Sequence, residues 1–305
     1  MNIASIDIGS NTVLLLIAKI ENNKLFPLLN LYNSPRLGKD LLPGKKIKQD
    51  RIEHLIKILT LYKAKTNEYN CEKVLLNATN AMRVASNSEE ILKIIKEKLN
   101  FNIEIINGTK EAELSFIGAS SSIPELITKM VIDIGGGSTE VIYGNNNNIL
   151  FKHSFQVGVV SLTENFFKDS TKNDNEVNNA LKYLHEIFNP IEKIIPDSLP
   201  TIAVAGTPTT LTCIKQNLHE YDEVKVEASE LTFEDILRMK TELQKIPDYK
   251  MKELYGSVVE GREDVLFAGI LILEVLMKVK KIDKIFVSGR GLRYGIIINY
   301  LNMIK

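Results

Sequence analysis

The sequence predicts an α/β chain built twice over, and three observations predict it. One short pattern occurs in both halves: Ile6-Asp7-Ile8-Gly9-Ser10-Asn11-Thr12 is echoed by Ile132-Asp133-Ile134-Gly135-Gly136-Gly137-Ser138-Thr139. Each copy is followed by a second apolar run, an Asn-rich turn and a third strand-like segment, so strand, glycine turn, strand, turn, strand heads each half. Behind each meander, helically spaced segments alternate with short apolar runs, as they do when helices are layered on a sheet. The 305 residues are enough for two ordinary domains, each with its own core.

Taken in order, Val13 to Ala18 is the second strand of the first half, and Glu21-Asn22-Asn23-Lys24 is its turn. Gly and Asn suit such turns because they tolerate positive φ. Gln49 to Tyr69 reads as a helix, with Ile52, Leu55, Ile56, Leu59 and Tyr62 at helical spacing. Val74-Leu75-Leu76 is a short buried strand. Ser88 is placed to cap a helix running to Leu99, with Ile91, Ile94 and Ile95 as its apolar positions. Phe101 to Ile106 alternates as a strand, and Thr109 opens a helix to Ala119. Small residues from Ser120 lead to Pro124 and Glu125, so the domains are expected at 1–120 and 121–291.

In the second half, Glu140 to Tyr143 and the turn from Gly144 to Asn148 repeat the meander. Helices are expected at Asn175 to Ile195, Thr207 to Lys215, Phe233 to Leu243, Glu263 to Lys278 and Leu292 to Asn302. Ile202 to Ala205 and Ile285-Phe286-Val287 are the intervening strands.

Composition sets limits on function. The chain is 44% hydrophobic and 25% charged, ordinary values for a folded protein. Lys+Arg and Asp+Glu each number 38, so the formal net charge is zero. That balance argues against nucleic acid as a partner, because a nucleic-acid binder shows a basic footprint. An anionic ligand must then be held by local geometry. Cys71 and Cys213 lie far apart with no ligand spacing around them, which predicts free thiols. The first residues form a strand-like run without a signal-peptide pattern, and no stretch reaches the roughly 18 apolar residues of a membrane span. A cytoplasmic protein with no membrane partner is the expectation.

Four glycine turns follow strand-like runs: Gly9-Ser10-Asn11, Gly135-Gly136-Gly137-Ser138, Gly206-Thr207 and Gly289-Arg290-Gly291. Glycine lets backbone N–H groups converge on a ligand, and a helix N-terminus adds partial positive charge. Neutral donors of this kind suit a phosphate ligand in a protein without net charge. Asp7 and Asp133 end their strands immediately before glycine, and two readings stand for each. One is an Asp capping its own turn; the other is a direct or outer-sphere Mg²⁺ ligand. Glu140, on the strand after Ser138-Thr139, belongs with the second reading.

Phosphoryl transfer to water needs charge neutralised and a water positioned rather than a covalent partner. The four histidines are scattered and read as structural or surface residues, so a carboxylate is the expected base. Glu111 is the candidate, at the start of the helix after Ile105-Ile106-Asn107-Gly108. By pattern alone, a first-turn Glu reads equally as capping and dipole chemistry.

The set Ile6 to Thr12, Ala78-Thr79-Asn80-Ala81-Met82-Arg83, Glu111-Ala112, Asp133 to Glu140, Ala205-Gly206-Thr207 and Gly291-Leu292-Arg293 resembles the exopolyphosphatase / guanosine pentaphosphate phosphohydrolase family. The match runs in order over essentially the whole chain, and Asp-Ile-Gly-Gly-Gly-Ser-Thr-Glu is its most specific motif. The resemblance implies a duplicated actin-like and sugar-kinase-like (ribonuclease H-like) fold, with two lobes, a five-stranded sheet in each and an interdomain cleft. It implies that the last helix, 292–305, returns to the first lobe. The implied reaction is Mg²⁺-dependent release of the terminal phosphate of polyphosphate, the 5′-γ-phosphate of the guanosine pentaphosphate pppGpp, or both.

The family's catalytic glutamate falls on Glu111, its arginine on Arg83, and its metal- and water-linked carboxylates on Asp133 and Glu140. Gly9, Ser10, Asn11, Thr12, Gly135, Gly136, Gly137, Ser138, Gly206 and Thr207 fall on the phosphate turns, and Asp7 joins the metal set. Arg36, with Lys39, Lys45 and Lys46, is read as a guide for an anionic tail, against the plainer reading of a solvated Lys-rich loop. Polyphosphate or guanosine penta- and tetraphosphate are the implied partners, and a homodimer is common in the family.

Two departures stand out. Where the family has an acidic residue before the glutamate, this chain has Lys110; where it often has a basic residue two positions later, this chain has Glu113. A cation beside the base either draws charge from it or takes hold of substrate itself. Longer members continue into further helical domains that hold long polyphosphate, so a chain of this length is expected to prefer short chains or nucleotides. Two rivals remain: an ATP-dependent kinase or ATPase of the same fold, and a sensor that binds guanosine tetra- or pentaphosphate without turnover.

Overall fold

The computed structural model describes residues 1–22, 24–145, 148–167 and 169–304. Asn23, in the first expected turn, and Asn146 and Asn147, in the second, lie outside the described residues. The chain divides into two compact units, one made of Met1–Gly118 with Leu292–Lys305 and the other of Ala119–Gly291.

The first unit runs β1 (Asn2–Ile8), β2 (Val13–Glu21), β3 (Lys24–Asn33), α1 (Gln49–Glu68), β4 (Lys73–Ala78), α2 (Asn80–Val84), α3 (Ser88–Leu99), β5 (Ile103–Ile105) and α4 (Gly108–Ser120). Its sheet has the order β3-β2-β1-β4-β5, with β1 antiparallel to β2 and parallel to β4. Ile8 pairs with Ala78, and Ala78 with Ile105, so the three parallel strands end level with one another. The turns that follow them share one edge of the sheet, the place where open α/β sheets hold ligands.

The second unit runs β6 (Thr128–Ile134), β7 (Thr139–Asn145), β8 (Ile149–Phe155), α5 (Val159–Phe166), α6 (Asp174–Phe188), β9 (Thr201–Val204), α7 (Gly206–Lys215), α8 (Glu223–Val226), β10 (Ser229–Thr232), α9 (Phe233–Leu243), α10 (Asp248–Tyr255), α11 (Leu266–Val279) and β11 (Lys284–Ser288). Its sheet order is β10-β11-β9-β6-β7-β8. Asp133 pairs with Val204 and Val204 with Ser288, so here too the parallel strand ends are level. The meander β6-β7-β8 reproduces β1-β2-β3, with Asp133 opposite Glu140 where Asp7 is opposite Leu14. Both sheets are mixed and helix-covered, the duplicated α/β architecture of the actin-like class.

Each unit has its own core. Ile6, Ile8, Leu15, Leu55, Leu59 and Tyr62 centre the first, and Ile132, Val141, Leu184, Ile270 and Leu273 the second. α11 is apolar nearly all round and correspondingly buried from Leu266 to Met277. The closing helix α12 (Leu292–Met303) completes the first unit, packing Tyr294 and Ile297 on Ile3, Leu16 and Ala18 of β1 and β2. Gly295 is required there, since a Cβ would fall 1.7 Å from the Leu114 carbonyl oxygen. Arg293 Nη1 donates to Asn30 Oδ1 at 3.0 Å and fixes the start of the helix.

Several local expectations are corrected. The second sheet has a sixth strand: β10 is a short, mainly polar edge strand with one buried side chain, Leu231, so no alternation marks it. α6 stops at Phe188 rather than Ile195, because Pro190 cannot donate to the carbonyl one turn back and the chain tightens into a 3-10 turn at Asn189–Ile191. Asn87, not Ser88, caps α3, and its side chain is turned away to bond Ile47. Only Ile103–Ile105 of the segment 101–106 is strand. Both cysteines are free, Cys213 buried and Cys71 half-buried. Among the described residues no helix is long and apolar enough to cross a membrane.

Candidate active site

In the first unit, strand ends deliver the reacting side chains. β4 ends at Ala78, and the chain turns at Thr79 into α2, whose last turn carries Arg83. Beyond β5, the Asn107 side chain caps α4 by accepting from the Lys110 N–H at 2.9 Å, and the first turn then presents Glu111. The level ends of β4 and β5 set these turns side by side. Arg83 Nη1 donates to Glu111 Oε2 at 2.6 Å and to the Ile106 carbonyl at 2.9 Å. Glu111 is 8% exposed, and Arg83 Nη2 is buried without a hydrogen-bond partner among the described residues. A guanidinium carries donors on both arms. One arm fixes Glu111, and the other keeps donors that no hydrogen bond takes up among the described residues.

The two departures from the family pattern answer one another. Lys110 Nζ lies 3.7 Å from Glu113 Oε2, one helical turn along α4. Lys110 is thus turned along the helix surface toward its own counter-ion.

The duplicated glycine turns are braced in the same way. In the first, the Gly9 N–H donates to the Thr12 carbonyl at 2.8 Å, while the Ser10 and Asn11 carbonyls accept from Gly38 and Arg36 N–H at 2.7 and 3.1 Å. In the second, the Gly135 N–H donates to the Ser138 carbonyl at 2.9 Å. The Gly135 and Gly136 carbonyls accept from the Val159 and Val160 N–H groups, at 3.0 and 2.7 Å, at the start of α5. A trans peptide points its C=O and N–H in opposite directions. Carbonyls held by the brace therefore turn the Asn11 and Thr12 amides outward in one unit, and the Gly136 and Gly137 amides in the other. The last two have no acceptor among the described residues. Consecutive amides so turned form an anion-binding nest.

The bracing glycines, Gly38 and Gly158, were missed by sequence reading. A Cβ on Gly38 would lie 2.8 Å from Ser10 Cβ, and one on Gly158 would lie 2.5 Å from the Gly135 oxygen. Their only sequence signal is their shared place, a few residues past the third strand of each meander. Ser10, Asn11 and Ser138 are buried within their turns.

The third turn is tense. Ala205 adopts φ 75° and ψ −167°, a region that is nearly exclusive to glycine, and hands the chain to Gly206 at the start of α7. The Arg262 guanidinium lies over Gly206, where a Cβ would come 2.5 Å from its Nε, and Arg262 Nη1 donates to Thr210 Oγ1 at 3.1 Å. A cation beside a helix N-terminus makes a stronger anion site than either alone. Sequence reading also missed Arg262, which arrives from a remote loop. The Thr207 hydroxyl packs toward Gly269 in α11, so this turn offers its backbone amides and Arg262.

The fourth turn is corrected. Glu227 Oε2 accepts from the Gly289 N–H at 2.9 Å, and the Arg290 N–H is bound by Ser288 Oγ at 2.9 Å. These amides are consumed internally. The turn's contribution is to lay Gly291 beside Asp133, with room for a Cβ 3.8 Å from its Oδ2.

Asp133 and Glu140 stand directly opposite each other on β6 and β7 and so project from the same face. Glu140 is 1% exposed, and its Oε1 accepts from Ser154 Oγ at 2.6 Å. Like charges opposed across strands repel, so this donor set fits a hard cation that takes one or two carboxylates and completes its shell with water and phosphate. No group of three or more His, Cys, Asp or Glu side chains is assembled for a metal among the described residues. In the first unit the position of Glu140 is taken by Leu14, and Asp7 has Asn77 as its neighbour on β4.

The duplicated α/β frame, the paired phosphate nests and the Arg83–Glu111 couple define a phosphate-handling protein. The Ppx/GppA phosphatase family matches residues 16–303, and the chain belongs to that family. It is 31% identical over 308 residues to the bifunctional 3-dehydroquinate synthase/phosphatase of Fusobacterium nucleatum, over 97% of this chain and 46% of that protein. The chain thus spans about half the length of that relative. To exopolyphosphatase 2 of Mycobacterium tuberculosis it is 27% identical, over 97% of this chain and 98% of the other. The crystal structure of an Aquifex aeolicus Ppx/GppA family member superposes with a TM-score of 0.84 at 31% identity, covering 100% of this chain and 99% of that one. An exopolyphosphatase from Cytophaga hutchinsonii gives 0.92 at 28% identity, with the same coverage.

Proposed function

We propose that this chain is a hydrolase that removes the terminal phosphate of inorganic polyphosphate or the 5′-γ-phosphate of pppGpp. The observation that carries the reading is the buried Arg83–Glu111 couple, 2.6 Å between Nη1 and Oε2, with the Nη2 donors of Arg83 unpaired among the described residues. Glu111 receives the proton of the attacking water as its oxygen bonds to the terminal phosphorus. The bridging P–O bond breaks, and the shortened chain leaves with the electron pair. Base catalysis of this kind contributes about 10²–10⁴-fold. Arg83 Nη2 meets an equatorial oxygen of the phosphoryl group as charge spreads over it. The backbone nests bind phosphate oxygens without adding net charge, and Arg262 supplies the cation at the Gly206 turn. Asp133 and Glu140 are the residues that would hold Mg²⁺, and the ion would supply charge neutralisation on the phosphates.

The contact of Lys110 with Glu113, 3.7 Å between Nζ and Oε2, supports hydrolysis over a binding-only sensor. Phosphate release from tripolyphosphate, longer polyphosphate and pppGpp, with Mg²⁺, tests the reading. Release by the unaltered protein and a loss of at least about 10²-fold in Glu111→Gln is the expected result. Binding of these compounds without release would overturn it in favour of a sensor, and phosphorylation of an acceptor by ATP would favour a kinase.

A further inference from the structure

The segment from Arg36 to Lys48 joins the two phosphate-facing parts of the first unit. At its start, Arg36 and Gly38 brace the Gly9–Thr12 turn. Further on it lies along the chain just past Arg83: the Gly44 N–H donates to the Val84 carbonyl at 2.8 Å, and the Ser86 N–H donates to the Lys45 carbonyl at 3.0 Å. Asn87 then clasps Ile47 from both sides, accepting from its N–H at 2.9 Å and donating to its carbonyl at 3.1 Å. Lys45 is therefore bonded to Ser86, three residues past Arg83, and Lys46 lies between that bond and the Ile47–Asn87 clasp, so neither is on a free tether.

The segment is also under tension. Arg36 and Asp40 have φ of 56° and 59°, left-handed values that disfavour side chains, and Gly44 has 77°. Each such non-glycine residue persists only where its surroundings over-determine it. The restraints are visible. Asp40 accepts from Lys48 Nζ at 2.7 Å and lies 3.9 Å from Arg51 Nη2, and Arg51 Nη1 donates to the Arg36 carbonyl. Charge in the segment is divided accordingly. Lys48 and Arg51 are committed to Asp40, whereas Lys45 and Lys46 are exposed and have no ion-pair partner among the described residues.

We propose that Lys45 and Lys46 form a preorganised subsite for the inner phosphates of a linear polyphosphate whose terminal phosphate lies at Arg83. The proposal rests on the hydrolase reading of Arg83 and Glu111. A linear polyphosphate bears a negative charge on every inner phosphate, so a longer chain meets both ammonium groups while a very short one ends before them. In a protein of zero net charge, a local pair of unmatched cations on a fixed backbone selects for chain length.

The test is reversal of both charges, Lys45→Glu with Lys46→Glu, read on tripolyphosphate and on long polyphosphate at two ionic strengths. The ratio of kcat/KM on long chains to that on tripolyphosphate falls about tenfold, through KM rather than kcat, and the gap narrows at high salt. The Lys45→Arg with Lys46→Arg variant restores the ratio. Equal losses on both substrates, or an unchanged ratio, overturn the proposal. Equilibrium binding of the same polyphosphates to the unaltered and reversed proteins keeps the two readings separable. If the unaltered protein releases no phosphate, the hydrolase reading fails; length-dependent loss of binding on reversal still upholds the subsite, and equal binding sinks it.

Discussion

Lys110 Nζ and Glu113 Oε2 are 3.7 Å apart on the first turns of α4, with Glu111 between them in sequence. The resemblance drawn from the sequence implies other residues at both positions, and here the two carry opposite charges that face each other. The contact is about one-third exposed on both sides, so its worth to stability is small, roughly 0.2–1 kcal/mol. Its importance is directional, since it turns a cation along the helix surface.

The pair should behave as a unit in kinetics. Lys110→Gln removes the cation that faces Glu113 and is expected to raise KM several-fold, while Lys110→Gln with Glu113→Gln returns kcat/KM to within about threefold of the unaltered protein. Steady-state kinetics on polyphosphate of the three proteins check this. Additive losses would show that the two residues act separately.

Gly158 offers a test of the second nest that leaves every proposed reacting group in place. Its backbone is extended, with φ −138° and ψ −176°, so alanine is conformationally acceptable there and only the contact matters. The added methyl would press 2.5 Å from the Gly135 oxygen and 2.6 Å from Gly136, displacing the turn. Gly158→Ala is expected to cost about 10²-fold in kcat/KM, the scale of a displacement of about 1 Å at a positioned group. A variant that folds, as judged by its circular dichroism, and keeps full activity would exclude a phosphate role for that turn.

Ala205 holds strain that glycine would release. Its conformation costs of the order of 1–3 kcal/mol, while glycine adds about 0.5–1 kcal/mol of backbone entropy to the folding cost. Ala205→Gly should therefore stabilise the protein by about 1 kcal/mol, seen as a higher denaturation midpoint, whereas Ala205→Val should destabilise it. An unchanged or lower midpoint for the glycine variant would mean that the turn is relaxed with alanine in place.

Acid sensitivity has an identifiable contributor in Asp197. Hydrogen bonds from the Lys280 and Lys281 ammonium groups hold its carboxyl down to about 2 from an ordinary 3.8. A depressed carboxyl stabilises the fold fully above its unfolded value, and the contribution fades as pH falls from 3.8 toward 2. The melting temperature of Asp197→Asn should lie below that of the unaltered protein at neutral pH, and the two curves should converge near pH 2. Parallel curves across that range would assign the acid loss elsewhere.

What could be read in advance follows the distance over which each feature is encoded. The Asp-Ile-Gly meanders were legible because strand, glycine turn and strand are contiguous, and the turn chemistry is written in Gly and Asn themselves. Glu111 and Arg83 became site residues only through resemblance, since nothing local distinguishes a catalytic glutamate from one that serves a helix N-terminus. Arg262 gave no local signal, as its meaning depends on meeting Gly206 across more than fifty residues of chain. The Gly289 turn misled for the converse reason: its glycines are real, but Glu227, distant in sequence, already takes the Gly289 amide, and Ser288 takes that of Arg290. β10 escaped notice because a four-residue edge strand with one buried side chain has no period to detect.

The placement of α12 on β1 and β2 has a consequence for how the protein is made. Residues 119–291 form a continuous stretch and have all their partners as soon as they have left the ribosome. The first unit is synthesised earlier, yet its Ile3, Leu16 and Ala18 face waits for Tyr294 and Ile297, which follow the whole of the second unit in the chain. Domains generally fold as units during synthesis, N-terminal first. Here the first unit is completed after the second, so the apolar face of β1 and β2 stays uncovered by α12 throughout translation of the second unit.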